Sequence, residues 1–272
     1  MVNLFGCGFI GSNYKKQYEC IVNDRNDLTV KTNNILYFIS TTDNYNVKTN
    51  PYLDIDTNLT TLIRVLENCR HLKDVTFNFA SSWFVYGGAE SNAKEDAYCD
   101  PKGFYSITKR AAEQLLISYC ETYNIKYRIL RFANVLGAGD SKVSSKKNAL
   151  TFLLRKLKNN EPINLYDNGN FYRDYIHVND LCDAINLVIT KGETNHIYNI
   201  GTGKPTLFKD AIDYIVEKTN STSQISYIEQ PDFHKIVQNK SFYMNCDKLK
   251  NLGFSPKYTI YDIVDELLNE QY

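Results

Sequence analysis

The sequence predicts an α/β fold, a doubly wound parallel sheet followed by a small C-terminal lobe. Short apolar runs alternate with amphipathic helical segments through the first half of the chain, and the first run ends in a glycine-rich turn. Such alternation is typical of parallel strands whose connecting helices cover both faces of a sheet. The 272 residues, 43% of them hydrophobic, are enough to bury the core of such a molecule.

The predicted elements follow one another without a linker or an internal repeat. Apolar runs predict strands at residues 2–5, 20–23, 35–39, 75–80, 127–131 and 197–200. Apolar positions at helical spacing predict helices at residues 10–19, 54–69, 104–123, 151–159, 178–190, 207–219 and 260–268. We therefore expect a sheet domain over residues 1–150, and over 151–272 mainly a substrate-binding lobe, interleaved with the last core strands.

Composition excludes several classes of function. Lys plus Arg and Asp plus Glu each number 31, so zero net charge gives no electrostatic reason to expect a nucleic acid or an anionic membrane as partner. Seven cysteines without a C-x-x-C pair predict neither a disulfide framework nor a zinc site, and we expect no bound metal. Without a signal-peptide pattern or a long apolar run, the chain is expected to be cytoplasmic, with a small-molecule substrate.

A G-x-G-x-x-G loop joins the first predicted strand to the first helix. Gly6 permits the turn, Gly8 lets the backbone approach a phosphate, and Gly11 lets the helix pack on the strand. Phe9 and Ile10 open the helix, whose free N–H groups and dipole suit an anion. This pattern predicts a Rossmann-like, NAD-binding domain in which the loop holds the pyrophosphate. The alternative is that the glycines only make a tight turn.

Asp24 ends the second predicted strand, 18 positions after Gly6. A carboxylate there can accept hydrogen bonds from the adenosine ribose and would repel the 2′-phosphate of NADP, so NAD is favoured. Arg25 could instead accommodate that phosphate, which leaves NADP open, and Asp24 could be only a surface acid beside it. Ser40, after the third apolar run, is a further candidate cofactor contact.

Three further residues suggest proton and hydride chemistry. Tyr105 and Lys109 are four positions apart at the start of a helix, so both can reach one ligand. A nearby ammonium and the positive ring of oxidised nicotinamide would both favour the Tyr105 phenolate. Ser82 sits at the C-terminal end of the fourth strand, where open α/β sheets bind ligands, and could hold the substrate oxygen. The spacing of Tyr105 and Lys109 is also common in exposed helix pairs.

The glycine loop, Ser82 and the Tyr105/Lys109 pair together resemble the extended short-chain dehydrogenase/reductase family, specifically its nucleotide-sugar epimerases and dehydratases. The resemblance covers nearly the whole chain and continues through residues 50–58, 131–137 and 173–180. It implies that Ser82, Tyr105 and Lys109 are catalytic. It also implies that a nucleotide-diphosphate sugar is the substrate and that the C-terminal lobe holds its nucleotide.

The resemblance assigns further roles. Asn134 and Arg173 would lie near the substrate diphosphate, with Trp83 beside Ser82 as a further substrate contact. A guanidinium fork suits a diphosphate, although Arg173 could instead pair with Asp174. His177 is expected to make a structural hydrogen bond at a helix start. Helices 54–69 and 104–123 resemble the pair that forms a four-helix dimer interface, so a homodimer is expected.

The chain departs from the family pattern in three places. Only ten residues separate Asp24 from the run at 35–39, so the adenine region is shortened and residues 28–30 supply at most a remnant strand. Trp83 and Phe84 stand where the 4,6-dehydratases carry Asp-Glu, which disfavours dehydration. The family's late R-x-G-D phosphate motif is not evident in residues 231–242, where Lys235 or Lys240 could substitute as point charges.

The sequence favours one function and leaves two others open. Tyr105 is predicted to deprotonate a sugar C4 hydroxyl while hydride moves to the nicotinamide, which yields a transient 4-keto sugar and makes the chain an NAD-dependent 4-epimerase. The same residues run backwards would make an NAD(P)H-dependent 4-keto-sugar-nucleotide reductase. A dinucleotide-binding regulator without turnover is the non-catalytic alternative.

Overall fold

The computed structural model describes residues 1–42, 44–141, 144, 147–237 and 241–270. Its twelve strands in those residues are β1 (Val2–Phe5), β2 (Cys20–Val22), β3 (Asn34–Tyr37), β4 (Thr76–Ser82), β5 (Lys126–Phe132), β6 (Asn134–Leu136), β7 (Ile163–Tyr166), β8 (Tyr172–Arg173), β9 (Tyr175–His177), β10 (His196–Ile200), β11 (Thr206–Leu207) and β12 (Ile225–Ile228). Six of them form one parallel sheet in the order β2-β1-β3-β4-β5-β10. The predicted doubly wound α/β fold is confirmed.

The α-helices of the described residues are α1 (Phe9–Gln17), α2 (Asn46–Thr49), α3 (Tyr52–Ile55), α4 (Thr61–Cys69), α5 (Phe104–Tyr123), α6 (Ala149–Lys158), α7 (Val178–Lys191), α8 (Phe208–Thr219), α9 (Asp232–Val237), α10 (Asp247–Asn251) and α11 (Ile260–Asn269). Most bounds lie within two residues of those predicted. The predicted helix 54–69 is the main exception, because a π-helical turn at Asp56–Thr60 separates α3 from α4. Such turns are often found at functional sites.

The sheet is buried on both faces because successive residues of each strand point to opposite sides. Leu4 and Leu36 belong to one core cluster, which includes residues of α7. Phe5 and Ile35 belong to the other, which includes residues of α4 and α5. A third cluster joins α6, α8 and α11 in the C-terminal part of the chain.

The segment between β2 and β3 contains neither a helix nor a strand. Two buried asparagine side chains satisfy its backbone instead. Asn3 Oδ1 accepts from the Lys31 N–H at 2.7 Å, and Asn3 Nδ2 donates to Asn23 Oδ1 at 2.6 Å. Asn23 Nδ2 donates to the carbonyls of Asp27 and Thr29 at 2.9 and 2.7 Å. Side-chain amides thus replace the strand pairing that this short connection lacks.

Two features of the described residues bear on possible membrane and metal partners. None of their helices is long and apolar enough to cross a membrane. Within the same part of the chain, no three His, Cys, Asp or Glu side chains are grouped as a metal site would require.

Candidate functional site

One large cleft lies along the carboxyl edge of the sheet. It has a volume of about 1210 Å³ and extends from the glycine loop past Ser82 at the end of β4 to Asn164 in β7. This exceeds the 300–1,000 Å³ that is usual for a site holding one drug-sized ligand. The cleft therefore has room for two ligands side by side, and carboxyl edges of open α/β sheets are where such ligands bind.

The glycine loop has the geometry that the sequence predicts. Gly6 has φ +93°, and a Cβ there would lie 2.9 Å from the Ile39 nitrogen. A Cβ on Gly11 would collide with the Gly6 carbonyl oxygen, so strand and helix can approach this closely only without side chains. Gly8 precedes α1, and a Cβ on it would meet nothing within 4 Å. The loop therefore leaves open space in front of the first N–H groups of α1.

The two candidate residues after β2 differ in position. Arg25 lines the cleft, whereas Asp24 is exposed and is not among the described residues that line it. The Asp24 carbonyl accepts a hydrogen bond from the Asp27 N–H at 3.0 Å. A cation rather than a carboxylate thus faces this end of the cleft.

Tyr105, Ser82 and Ser40 come together at the centre of the cleft. Burial raises the pKa of Tyr105 to about 12, and the nearby Ser82 and Ser40 hydroxyls offset part of that rise. Ser82 is the last residue of β4, and Tyr105 lies in the first turn of α5. All three residues line the cleft. A ligand hydroxyl placed there would have three protein hydroxyls around it.

Lys109 lies one turn after Tyr105 and is buried beneath it. Its ammonium donates to the Ala80 carbonyl at 2.6 Å and lies 4.2 Å from the centre of the Phe79 ring. Burial lowers the pKa of Lys109 to about 7, although nearby Glu113 opposes that shift. The expected lowering of the Tyr105 pKa is not present in the protein alone, because burial outweighs every favourable contact of the phenol.

Asn58 lies in the π-helical turn and positions Ser40 at the centre of the cleft. The sequence alone did not identify Asn58 as a candidate site residue. Its Oδ1 accepts from Ser40 Oγ at 3.0 Å and from the Thr41 N–H at 2.9 Å. Its Nδ2 donates to the hydroxyls of Thr41 and Thr108, each at 2.9 Å. Asn58 thereby ties the loop after β3 to α5, which carries Tyr105. The wider helical turn, which sequence periodicity does not reveal, is where this contact occurs.

Three candidate substrate residues also line the cleft. Trp83, Asn134 and Arg173 are all among its lining residues. The Arg173 guanidinium lies over the Trp83 and Phe171 rings, 5.6 and 4.6 Å from their centres. Asn134 Nδ2 donates to the Asp174 carbonyl at 3.0 Å, which joins β6 to β9. The structure therefore places all three on the cleft surface, together with the glycine loop.

Asp174 and His177 have structural partners. The Asp174 carboxylate accepts from the N–H groups of Thr202 and Gly203, each at 3.0 Å, rather than pairing with Arg173. Burial raises the pKa of Asp174 to about 6. His177 Nδ1 accepts from the Asn179 N–H at the start of α7, and Nε2 lies 2.6 Å from Glu266 Oε2. His177 thus makes the structural hydrogen bond that the sequence predicts.

A contact across the cleft was also missed. The Tyr45 hydroxyl is hydrogen-bonded to His234 Nε2, and the Tyr45 ring lies 5.0 Å from Phe233. Lys48 lies over the Phe233 ring at 4.4 Å, and Tyr166 packs edge-on against His234. We call these five residues the latch. They join the segment before α3 to α9. The local sequence of neither segment predicts that it contacts the other.

The described residues do not support the prediction that two lysines replace the R-x-G-D motif as phosphate contacts. Lys235 pairs with Glu229 and Asp232, at 3.5 and 3.6 Å, and does not line the cleft where the structure describes it. Lys240 lies outside the described residues.

Comparison with known proteins identifies relatives of this chain. The model of the NAD dependent epimerase/dehydratase family matches residues 28–201. A protein of Methanocaldococcus jannaschii, provisionally named UDP-glucose 4-epimerase, is 30% identical over 224 residues, which cover 81% of this chain and 70% of the relative.

Solved structures share the fold. A UDP-glucose 4-epimerase of Thermotoga maritima, solved with UDP-glucose, superposes with a TM-score of 0.86 over 98% of this chain and 97% of that one, at 21% identity. The RMD protein of Pseudomonas aeruginosa, complexed with NADPH, superposes at 0.82 over 98% and 97%, at 18% identity. At these identities the likeness shows the fold alone.

Proposed function

Because the chain belongs to the NAD dependent epimerase/dehydratase family, a family of NAD(P)-dependent enzymes, we propose that it is an NAD-dependent nucleotide-sugar 4-epimerase. The observation that carries the proposal is the grouping of the Tyr105, Ser82 and Ser40 hydroxyls in one cleft with the glycine loop. The M. jannaschii relative is named for the same reaction.

The glycine loop fits a dinucleotide. Gly8 leaves open space before α1, and Gly6 and Gly11 are closely packed where a side chain would push strand and helix apart. The N–H groups of the first helical turn lack partners within the helix and can donate to a pyrophosphate. Oxidised nicotinamide, when bound, would accept the hydride of the sugar C4 and return it, and its positive ring would favour the Tyr105 phenolate.

The chain's own residues move the proton. Tyr105 takes the proton of the C4 hydroxyl, and Ser82 donates a hydrogen bond to that oxygen as it becomes a carbonyl. Asn58 holds Ser40 against the phenol, so the hydroxyls keep their places during the transfer. Arg173 and Asn134 hold the diphosphate, about which the 4-keto sugar turns to present its other face. Tyr105 then returns the proton, and the C4 configuration is inverted.

A 4-keto-sugar-nucleotide reductase is the second candidate, and Arg25 favours it. Arg25 lines the cleft where the ribose end of the cofactor would lie, whereas Asp24 does not. A guanidinium there suits the 2′-phosphate of NADPH, the cofactor that an external reduction commonly uses. The residues around Tyr105 would then protonate the sugar oxygen instead of deprotonating it.

Incubation with sugar nucleotides separates these functions. Purified protein is given UDP-, dTDP- and GDP-hexoses and the corresponding 4-keto sugars, with NAD alone, NADH or NADPH. Interconversion of C4 epimers without added reductant supports the epimerase. Consumption of NADPH by a 4-keto sugar supports the reductase instead. Binding of dinucleotide and sugar nucleotide without turnover would contradict both and leave a regulator.

Tyr105→Phe tests the assigned base. The change removes the proton acceptor and leaves the ring in place, so kcat should fall by roughly 10²–10⁴-fold while cofactor affinity is kept. Tyr98→Phe is the matched control, because Tyr98 is 81% exposed and does not line the cleft. A Tyr105→Phe enzyme with the wild-type kcat would show that another group is the base.

A further inference from the structure

The Arg173 guanidinium contacts aromatic rings of the cleft. It lies 5.6 Å from the centre of the Trp83 ring and 4.6 Å from that of Phe171, both within the range of a cation–π contact. Arg173 Nη1 also donates to the Tyr172 carbonyl at 2.8 Å. Tryptophan is the ring type that attracts a cation most strongly. Because Arg173 is half-buried, solvent screens these contacts only in part.

The Trp83 ring is itself held by its neighbours. It stacks on Phe84 at 4.1 Å and on Phe242 at 5.3 Å, and Trp83 is only 4% exposed. Phe84 in turn meets the Tyr105 ring edge-on, with centroids 6.2 Å apart. We call Phe242, Trp83, Phe84 and Tyr105 the aromatic row. The row connects the ring that contacts Arg173 to the phenol that we propose as the base.

The backbones on both sides of the Trp83–Arg173 contact are fixed. Trp83 directly follows Ser82, the last residue of β4, and the Phe84 N–H donates to Ser82 Oγ at 3.3 Å. Arg173 belongs to β8, which pairs with β11. Of the two side chains, that of Arg173 has many more rotamers. Contact with the packed Trp83 ring therefore restricts chiefly the end of the arginine side chain.

The proposed reaction makes the position of the diphosphate critical. The 4-keto sugar turns about the diphosphate that Arg173 holds, and its C4 must then return to the Tyr105 hydroxyl. Displacement of a reacting group by about 1 Å can slow a reaction roughly 10²-fold. A guanidinium that shifted during the turn would move the point about which the sugar rotates, so C4 would miss its place.

We propose that Trp83 is a positioning residue that acts through Arg173, because its ring holds the guanidinium and thereby keeps the diphosphate in one place while the sugar turns. The proposal rests on the proposed function, which assigns the diphosphate to Arg173 and the base to Tyr105. Without the ring, some turns would end with C4 out of reach. The products of such a failed turn are NADH, which keeps the hydride, a proton released from Tyr105 to water, and a free 4-keto sugar nucleotide.

A double-mutant cycle tests whether Trp83 acts through Arg173. UDP, dTDP and GDP are titrated into the wild type, Trp83→Leu, Arg173→Ala and the double variant, by calorimetry or, where binding is weak, by nuclear magnetic resonance. Trp83→Leu should weaken the binding of the preferred diphosphate roughly three- to tenfold, and should weaken it no further when Arg173 is already alanine. Trp83→Phe keeps a ring at this position and should recover most of the lost affinity.

The cycle separates this proposal from the epimerase, because binding is measured without turnover. Full affinity in Trp83→Leu, or the same loss with and without Arg173, would overturn the role of Trp83 and leave the epimerase in place. A wild type that binds none of the three diphosphates would overturn it as well. Because Trp83 is the single tryptophan of the chain, its fluorescence gives a measurement on the wild type itself. That fluorescence should change when the diphosphate binds, and an unchanged signal at saturation would count against the contact even if Trp83→Leu did not fold.

Failed turns are counted as the ratio of NADH formed to epimer formed, with the sugar nucleotide that the wild type epimerises. Trp83→Leu should raise this ratio roughly tenfold, whereas a purely structural role would lower stability and kcat without changing it. Phe77→Leu is the matched control, because Phe77 is a fully buried ring of β4 that does not line the cleft where the structure describes it. It should lose stability and keep the wild-type ratio. A wild-type ratio in Trp83→Leu would show that the ring does not hold the diphosphate during the turn.

Discussion

At the scale of single residues, burial determines which protonation states of Tyr105 and Lys109 are favoured. Burial raises the pKa of Tyr105 to about 12 and lowers that of Lys109 to about 7, so it disfavours the charged form of each group. In the protein alone, burial therefore favours the neutral phenol of Tyr105 and the neutral amine of Lys109. The sequence places the two residues four apart on one helix, but their pKa values depend on what surrounds them.

Changing Gly11 to alanine should lower the stability of the protein, whereas changing Gly8 to alanine should weaken NAD binding. A Cβ on Gly11 would collide with the Gly6 carbonyl oxygen, a backbone atom that cannot move aside, so Gly11→Ala should lower the unfolding free energy by about 1–3 kcal/mol. Gly8→Ala meets open space and should leave stability within about 0.5 kcal/mol of wild type. It should still weaken NAD binding roughly tenfold, because the methyl group takes the space of the pyrophosphate.

The measurements for this pair are urea unfolding and calorimetric titration with NAD. Equal loss of stability in both variants, or full NAD affinity in Gly8→Ala, would contradict the assigned roles of the two glycines.

At the scale of elements, side-chain contacts hold two parts of the chain in place. The connection between β2 and β3 has no strand, and the amide of Asn3 bonds its backbone instead. The latch joins Tyr45 to His234 in α9, two segments 189 positions apart. Both contacts use polar or aromatic side chains that carry no local signal for secondary structure.

Asn3→Ala should loosen the connection between β2 and β3. The change removes the hydrogen bonds that Asn3 makes to the Lys31 N–H and to Asn23 Oδ1, and a buried polar group that loses its partner costs about 1–3 kcal/mol. Unfolding in urea should show that loss, and hydrogen exchange should quicken at residues 24–33. Asn26→Ala, an exposed change in the same segment, serves as control. Wild-type stability in Asn3→Ala would show that its side chain does not hold the segment.

The latch should weaken in acid. Burial and nearby Lys48 lower the pKa of His234 below its usual 6.5, so the closed contact keeps the imidazole neutral. The Tyr45 hydroxyl and the Tyr166 ring also contact the imidazole. As the pH falls below 6.5, an opened His234 binds a proton before the closed one does, which shifts the balance towards opening.

Hydrogen exchange at residues 232–237, corrected for the intrinsic rate, measures this opening. Exchange should speed up between pH 7.5 and 5.5 in the wild type, and His234→Gln should remove that dependence. His71→Gln changes an exposed histidine and should preserve it. A wild type without pH dependence would exclude His234 as the titrating group.

At the scale of the whole molecule, three core clusters surround the cleft without filling it. Two cover the faces of the sheet, and the third packs α6, α8 and α11 together. The cleft along the sheet edge lies where β1, β3 and β4 end, as expected where parallel strands present their carboxyl ends. On the outer face of the molecule, α5 leaves Ile107 and Leu115 46% and 41% exposed.

These exposed side chains predict a homodimer through α4 and α5. Large apolar side chains left on packed helices often mark an interface between copies. The wild type should sediment as a dimer at micromolar concentration, and Leu115→Glu should sediment as a monomer because a carboxylate cannot be buried there. Leu72→Glu, at an equally exposed leucine in the turn after α4, should remain dimeric. A monomeric wild type would exclude this interface.

Much of the fold could be predicted because its signals are local. Periodicity located the sheet strands and long helices to within a few residues, and the glycine loop could be recognised from spacing alone. Six short strands were missed, because they pair over long separations and have too few residues for a period to show: β6, β7, β8, β9, β11 and β12. The π-helical turn at Asp56–Thr60 was missed because a few apolar positions at helical spacing do not distinguish one wider turn from a regular α-helical turn.

The candidate site, like the fold, was predicted only where its signals are local in the sequence. By itself the sequence determined the α/β fold, the family resemblance, and the residues Gly6, Gly8, Gly11, Ser82, Tyr105 and Lys109 as candidates, since these are matters of residue type and spacing. Only the tertiary structure decided that Arg25 rather than Asp24 faces the cleft, that Asn58 holds Ser40, and that Phe84 stands beside the phenol. The physical reason is that direction, burial and contact depend on how distant segments pack, and no local pattern encodes them.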